Sequence, residues 1–425
     1  TGRPQAEQRQ AEHGAGGSPL STTESLTVHV AALRLQLDNP GTGKYFGTPK
    51  TIFSKKYAGQ NDGDPRTSGP GFGLFALPWF LLARPALGPN DAYVVASLAA
   101  LLALPVAAVA ASRAVGVAAR SWSELGRVAA ITCSVPVLSC YAEAFHPADV
   151  LAVAASLGAF ALWQRGRITP VFLLLGFAVV TRQWAVAVVA VLAVLSDRED
   201  RLTLVLGSLA VGLVAIVPFL VANREATVVA LTAKQVGRFP LTLPGIIAGT
   251  PTLRTGLGRV LPLALLAAYC TWLAVRVRSV EATAPVAVAA LAVALLLRPL
   301  VDPAGFTYYL APGVAFLVLV RPTSWRWPIL TVLLGIGLVV RREASWRWPA
   351  YAGMEGPLGG GFGTSFPALQ PAGAAIAIAE TLVVAAVVVA CIREVWVLTG
   401  GRTPSALEGA AGRPGAAQRG DGVFG

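Results

Sequence analysis

The sequence predicts an all-α polytopic membrane protein, and three observations support that prediction. Hydrophobic residues make up 55% of the 425-residue chain and charged residues only 13%, whereas soluble proteins carry roughly 25% charged residues. The mean hydropathy is +0.62. Apolar windows long enough to cross a hydrocarbon core of ~30 Å recur between Ala92 and Arg393. We therefore expect a bundle of about ten to twelve transmembrane or half-membrane helices.

Four regions follow one another along the chain. Residues 1–20 are polar and predict a disordered N-terminus. Residues 21–70 contain turn-rich runs and four of the five lysines, which favours a polar extracytoplasmic loop. Residues 71–399 hold the apolar segments, and the Gly/Ala/Arg-rich residues 400–425 predict a disordered cytoplasmic tail. Within the helical region, the Pro-broken segment 71–83 is short and predicts a helix that lies at the membrane interface without crossing.

Basic residues in the short connections predict the orientation. The connection 113–127 carries Arg113, Arg120 and Arg127, and the positive-inside rule places it in the cytoplasm. Strict alternation of the spans then brings the other short arginine-bearing connections to the same side. The net charge of +12 has this topological explanation, because the basic residues are scattered singly and do not form the cluster that a nucleic-acid interface requires. Attraction to anionic membrane lipids follows from the same charges.

A polar stretch between two apolar segments is the first candidate site. Glu143, His146 and Asp149 are spaced three residues apart, and Pro147 predicts that one helix ends and another begins between them. Asp149 has two interpretations, since it could cap the helix that starts near Pro147 or belong to a functional site. His146 and Glu143 are not needed for capping, which favours a functional role. One histidine with two carboxylates is a weak ligand set, so no metal site is predicted.

The second candidate interrupts about 28 apolar residues with Arg182, Gln183 and Trp184. An arginine at the bilayer centre costs roughly 2.5–3.5 kcal/mol on insertion scales. We therefore predict a break here, with two half-helices that meet at the outer surface. Arg182 would then either bind a phosphate or extend to the interface beside a membrane-belt tryptophan.

Two further polar segments fall on the same predicted outer face. Arg298 and Asp302 end one apolar segment, and Tyr308 and Tyr309 begin the next. A local Arg298–Asp302 ion pair and two aromatic-belt tyrosines are the simpler interpretation of this motif. The long outer connection 222–259 adds cations that could guide an anionic lipid head group, and these are Lys234 and Arg238.

Taken together, these motifs resemble the GT-C superfamily of bacterial membrane glycosyltransferases. The residues that carry the resemblance are His146-Pro-Ala-Asp149-Val, Trp163-Gln-Arg-Gly-Arg167, Leu174 to Trp184, and Asp302-Pro through Tyr309. The most similar branch is that of the actinobacterial polyprenyl-phosphate-mannose-dependent mannosyltransferases. Arginine in preference to lysine, and heavy use of alanine, glycine, valine and proline, agree with a high-GC bacterial genome. The resemblance covers residues 70–320.

The resemblance implies a function. It implies transfer of a mannose-like hexose from a polyprenyl-phosphate donor to a lipid or glycan acceptor on the outer leaflet of the bacterial plasma membrane, with a carboxylate of the first outer loop as general base. Asp38 is the nearest candidate base, with Asp62 and Asp64 behind it. Neither the expected first helix nor the expected Asp-aromatic context is present in residues 1–70, so the base assignment is open.

The implied roles extend to the other motifs, and two alternatives compete with them. Arg182, Arg298, Lys234 and Arg238 would bind the donor phosphate, His146 and Glu143 would assist catalysis, and Asp149, Gln183, Trp184, Asp302, Tyr308 and Tyr309 would support the site. The lipid-linked donor is a substrate, no cofactor is established by the sequence, and participation of a divalent metal is left open. The alternatives are a transporter or flippase for an anionic lipid or solute, and a non-catalytic protein of envelope assembly.

Overall fold

The computed structural model describes residues 70–142, 146–222, 224, 243–248, 251–277, 283–302, 307–347 and 371–400. All regular secondary structure in these ranges is helical, which confirms the all-α prediction for this part of the chain. The predicted N-terminal loop and C-terminal tail lie outside the described residues. So do four of the candidate site residues, which are Asp38, Glu143, Lys234 and Arg238.

The helices are numbered here in chain order. They are α1 (Pro70–Ala114), α2 (Trp122–Thr132), α3 (Val135–Ala142), α4 (Pro147–Trp163), α5 (Ile168–Thr181), α6 (Val186–Leu195), α7 (Arg198–Ala222), α8 (Leu243–Ala248), α9 (Pro251–Arg276), α10 (Ala284–Val301), α11 (Ala311–Leu317), α12 (Arg326–Arg347) and α13 (Pro371–Gly400). Two 3-10 turns, Gln183–Ala185 and Thr307–Leu310, precede α6 and α11.

Four of these helices contain a stretch long and apolar enough to cross a membrane. The stretches are Val95–Ala114, Arg198–Val217, Ala284–Val301 and Ala374–Gly400. Five further apolar helical segments have 10–17 residues, which is shorter than the ~20 residues that a full crossing needs. Among the described residues, length and composition thus support four full spans, and the five shorter segments bring the apolar helical segments to nine, against the ten to twelve transmembrane or half-membrane helices expected from the sequence.

Helix α1 differs from the sequence prediction. The segment 71–83 is not a separate helix, because the helix runs without interruption from Pro70 to Ala114, and its candidate membrane span begins only at Val95. Phe72 and Ala96 nevertheless share one buried cluster with Leu151 of α4, although a straight helix would separate them by about 36 Å. The helix therefore bends between them, in a stretch that contains Pro78, Pro85 and Pro89, as proline explains.

The core of the bundle surrounds α10 and α4. In α10, 72% of the candidate span is buried inside the protein, and α4 is buried along most of its length. Both helices are rich in alanine and valine, whose small side chains allow close helix packing. Gly313 of α11 lies so close to α10 that an added Cβ would stand 2.6 Å from Leu296. An alanine there would force the Leu296 side chain or the helix that carries it to shift.

The polar contacts of the bundle gather at its two ends. At the opposite end from His146, the indole of Trp163 donates to Ser196 Oγ at 2.8 Å, which joins the ends of α4 and α6. Arg321 forms an ion pair of 2.6 Å with Glu394. We call the end that contains residues 146–149 the site end, and the end that contains Trp163 and Ser196 the opposite end.

Apolar side chains cover the outside of several helices. In α7 the exposed stripe follows the helical repeat through Leu202, Leu206, Leu209 and Leu213. In α12 the large exposed apolar residues are Ile329, Val332, Leu333, Ile336, Val339 and Val340. Contiguous apolar faces of this kind are rare on soluble monomers. Together with the four long helices, they suggest a membrane protein.

Candidate functional site

The site end is built from the places where helices begin and end. Pro147 occupies the first turn of α4, with His146 as the N-cap residue, because proline suits that position and lacks an N–H that would need a partner. Helix α5 ends at Thr181, and Arg182 is extended at φ −148° and ψ 119°. The helix start at Pro147 and the break at Arg182 are therefore where the sequence predicts them.

Asp149 is the centre of the first contact group. Its Oδ1 accepts a hydrogen bond of 3.0 Å from the indole N–H of Trp184, and its Oδ2 lies 2.9 Å from a guanidinium nitrogen of Arg182. The side chains of Asp149 and Arg182 are only 6% and 14% exposed. The carboxylate thus joins α4 to the break between α5 and α6, a role that differs from the capping interpretation of Asp149.

A row of rings forms the second contact group. His146 and Tyr308 meet edge to face with ring centroids 4.8 Å apart, and Tyr308 meets Tyr309 in the same way at 4.9 Å. The Arg298 guanidinium lies 4.2 Å from the Tyr309 ring centroid, a cation–π geometry. Tyr308 is buried, so it is a packing partner of His146 and not an exposed belt residue.

Arg298, at the end of this row, also forms the local ion pair with Asp302 that the sequence predicts. Arg298 Nε lies 3.5 Å from Asp302 Oδ2, and the Asp302 side chain is fully buried. Asp149 also interacts electrostatically with Arg298 and Tyr308, which connects the two contact groups. The four charged residues Asp149, Arg182, Arg298 and Asp302 balance one another, so an anionic ligand would have to compete with a carboxylate for each arginine.

The other predicted site residues of this end are more exposed than Asp149 and Asp302. Gln183 is exposed, Trp184 is half-buried and His146 is half-buried. The imidazole of His146 is therefore partly accessible from outside the cluster. No group of three or more metal-ligating side chains occurs in the part of the chain that the structure describes.

One important buried residue is missed by the sequence analysis. Arg127 does not extend into a loop but lies in α2, fully buried. Its guanidinium donates to the carbonyl oxygens of Val318, Arg321, Pro322 and Ser324. A signal was present, because Glu124, Arg127 and Ile131 have the i, i+3, i+7 spacing of one helical face, and all three are buried.

Known proteins give no further guide to these residues. Comparisons with protein-family models, with curated proteins and with solved structures find no match for this chain.

Proposed function

We propose that the chain is an integral membrane glycosyltransferase that transfers a mannose-like hexose from a polyprenyl-phosphate donor to a lipid or glycan acceptor. The observation that carries the proposal is the convergence of His146, Asp149, Arg182, Arg298 and Tyr308 at one end of an apolar helical bundle. These residues come from sequence segments up to 162 positions apart, from His146 to Tyr308. A lipid-linked phosphate needs this combination of an apolar surround, cations and a proton-accepting group.

The reaction assigns a role to each part of the cluster. The acceptor hydroxyl oxygen forms a bond to the anomeric carbon and gives its proton to a general base, while the bond from that carbon to the donor phosphate oxygen breaks. The polyprenyl phosphate leaves with the electron pair, and Arg182 and Arg298 stabilise its charge. Asp149 is a positioning residue, since it holds Arg182 through the 2.9 Å contact.

Two candidates for the general base follow from different observations. His146 belongs to the cluster and is partly accessible, which favours proton transfer to its imidazole. Asp38 follows from the resemblance alone, and it lies outside the described residues. The proposal requires a base from one of these two segments.

We expect the purified protein in lipid vesicles to transfer hexose from a polyprenyl-phosphate donor. His146→Ala or Asp38→Ala, whichever removes the base, should lower the rate at least about tenfold. Transfer of radiolabelled sugar to the acceptor fraction measures the effect. Arg165→Gln, at the opposite end, is the matched control and should keep the wild-type rate. Unchanged turnover in both test variants would remove His146 and Asp38 from the mechanism.

The proposed location is the bacterial plasma membrane, with the site end outside the cell. The short connections at the opposite end carry Arg120, Arg165, Arg167 and Arg321, and the positive-inside rule assigns such connections to the cytoplasm. Arginines also occur near the site end, for example Arg224, but they adjoin the longer connections, where the rule has less force.

Labelling of single cysteines on intact cells tests this orientation. In a Cys133→Ser background, we expect a membrane-impermeant maleimide to label Gln183→Cys on intact cells and Arg165→Cys only after lysis. Both positions are exposed on the protein, so accessibility differs between them only through the membrane. The reverse labelling pattern would place the site end in the cytoplasm and contradict an outer-leaflet reaction.

One observation favours a transporter or flippase as the second candidate. Asp149–Arg182 and Arg298–Asp302 are mutually compensating pairs at the end of apolar helices, and paired intramembrane charges often mark transport pathways. Counterflow of a labelled anionic lipid or solute without chemical change would favour transport over transfer.

A further inference from the structure

A groove at the opposite end of the bundle lies between the C-terminal part of α1 and the start of α2. Its volume is about 350 Å³, and its walls include Val109, Leu125 and Val128 on the apolar side and Arg120, Ser121 and Trp122 on the polar side. Trp122 is 85% exposed and Leu125 57% exposed. This combination of exposed apolar side chains and an adjacent arginine indicates a surface that contacts an amphipathic molecule.

The charge of the groove comes from Arg120. Glu124 also lines the groove, but Arg113 Nε donates to its Oε1 at 2.6 Å and the Arg120 backbone N–H donates to its Oε2 at 2.6 Å. The side-chain hydrogen bond from Arg113, followed by this backbone bond, lowers the pKa of the Glu124 carboxyl from its ordinary value. Glu124 therefore stays ionised and neutralises Arg113, which leaves one net positive charge in the groove.

Arg120 has a strained, left-handed backbone conformation, which is unusual for a residue other than glycine. Arg120 has a φ of 57°, and the other positive φ angles among the described residues belong to Gly116 and Gly166. This left-handed conformation is unfavourable for a residue with a Cβ and free of that cost for glycine. An arginine at a position suited to glycine suggests that the guanidinium has a use here.

An apolar path leaves the groove along α1. Leu102, Val106 and Val109 follow the i, i+4, i+7 repeat of one helical face, and Leu102 and Val106 are 67% and 70% exposed. This stripe runs from the groove toward the middle of the candidate span Val95–Ala114. The surface thus offers a cation at the end of the span and apolar side chains along it.

We propose that this groove binds a phospholipid with an anionic head group, whose phosphate contacts Arg120 and whose acyl chain follows Val109, Val106 and Leu102. Trp122 lies at the level of the head groups, where its amphipathic ring is favoured. The inference rests on insertion of the bundle in a bilayer and is independent of the transferase activity.

Lipid titration of the full chain tests the proposal. The protein is purified in detergent, delipidated and titrated with phosphatidylglycerol or with phosphatidylcholine of the same acyl chains, and native mass spectrometry measures the bound fraction. We expect phosphatidylglycerol to bind at least about fivefold more tightly than phosphatidylcholine, and Arg120→Gln to remove that preference. Arg165→Gln removes the same charge at the same end outside the groove, and its effect should stay below about twofold.

Other results would overturn the proposal. Equal losses in Arg120→Gln and Arg165→Gln would mean that the surface attracts anionic lipid only diffusely. Equal binding of both lipids by the wild-type protein would leave no role for the guanidinium. A dimer that Arg120→Gln abolishes would assign the groove to a second copy of the chain.

Arg120→Gly separates lipid binding from folding. Glycine relieves the left-handed backbone and removes the guanidinium together, so we expect phosphatidylglycerol binding to fall while the melting temperature without lipid stays equal or rises. A lower melting temperature in the lipid-free variant would show that Arg120 stabilises the fold itself, and the strain argument would fail.

Discussion

Arg127→Met is expected to lower the free energy of unfolding by about 3 kcal/mol, because it leaves several carbonyl oxygens of the α11–α12 connection without their donor. Arg127 is fully buried, and the two N–H bonds of its Nη2 are shared among Arg321 O at 3.1 Å, Pro322 O at 2.9 Å and Ser324 O at 2.9 Å. Each buried acceptor left unsatisfied costs roughly 1–3 kcal/mol. Water can reach part of this half-exposed turn, which keeps the total below the simple sum.

Thermal unfolding in detergent and limited proteolysis of the turn 321–325 measure the effect of Arg127→Met. Arg127→Lys should be intermediate, because an ammonium keeps the charge but lacks the planar fork that reaches several acceptors at once. Arg326→Met is the matched control at an exposed position, and it should change stability by less than about 0.5 kcal/mol. We call the hydrogen bonds from Arg127 to the connection between α11 and α12 the Arg127 clamp. Equal melting temperatures for Arg127→Met and Arg326→Met would contradict a stabilising role for this clamp.

The Arg127 clamp also bears on the site end. It holds the connection that follows α11, a helix of only seven residues, and the 3-10 turn with Tyr308 comes immediately before that helix. Phe316 of α11 packs edge to face against Phe160 of α4, with ring centroids 6.0 Å apart. A short helix that is fixed at one end and packed in the middle restricts where Tyr308 can lie against His146.

Some of the site follows from residue type, and the rest depends on tertiary packing. The helix start at Pro147 and the break at Arg182 are local, since proline and a charged residue in an apolar run act within one turn. The partners of Asp149 are not local. Arg182 and Trp184 lie 33 and 35 positions further along the chain, and only the packing of α4 against α5 brings them to one carboxylate.

The same distinction explains the two differences in the fold. A proline-rich apolar stretch indicates a bend, but whether the two arms form separate helices or one bent helix depends on what they pack against. In α1 both arms contact the start of α4 through Ala148 and Leu151. The sequence places Arg127 in a short basic connection, whereas its position in the structure depends on the carbonyl oxygens of a turn about 190 residues away.

Arg182→Met is expected to destabilise the protein by about 3 kcal/mol, because it leaves Asp149 as a buried carboxylate without its cation. Asp149→Asn keeps an oxygen that can accept from Trp184 but removes the charge, and it should cost less. The double variant should be more stable than Arg182→Met alone, since replacing both partners of a buried ion pair costs little. Unfolding of the four proteins in one detergent gives the coupling energy.

A second double-mutant cycle, with a distant residue in place of Asp149, provides the control for this coupling energy. Glu124→Gln lies at the opposite end and shares no contact with Arg182, so Arg182→Met and Glu124→Gln should be additive within about 0.5 kcal/mol. Additive behaviour of Asp149→Asn and Arg182→Met would contradict the ion pair. The cycle also serves the functional question. If the double variant folds as well as the wild type but no longer transfers sugar, the pair is needed for the reaction as well as for the fold. If it retains the wild-type rate, the pair serves only the fold.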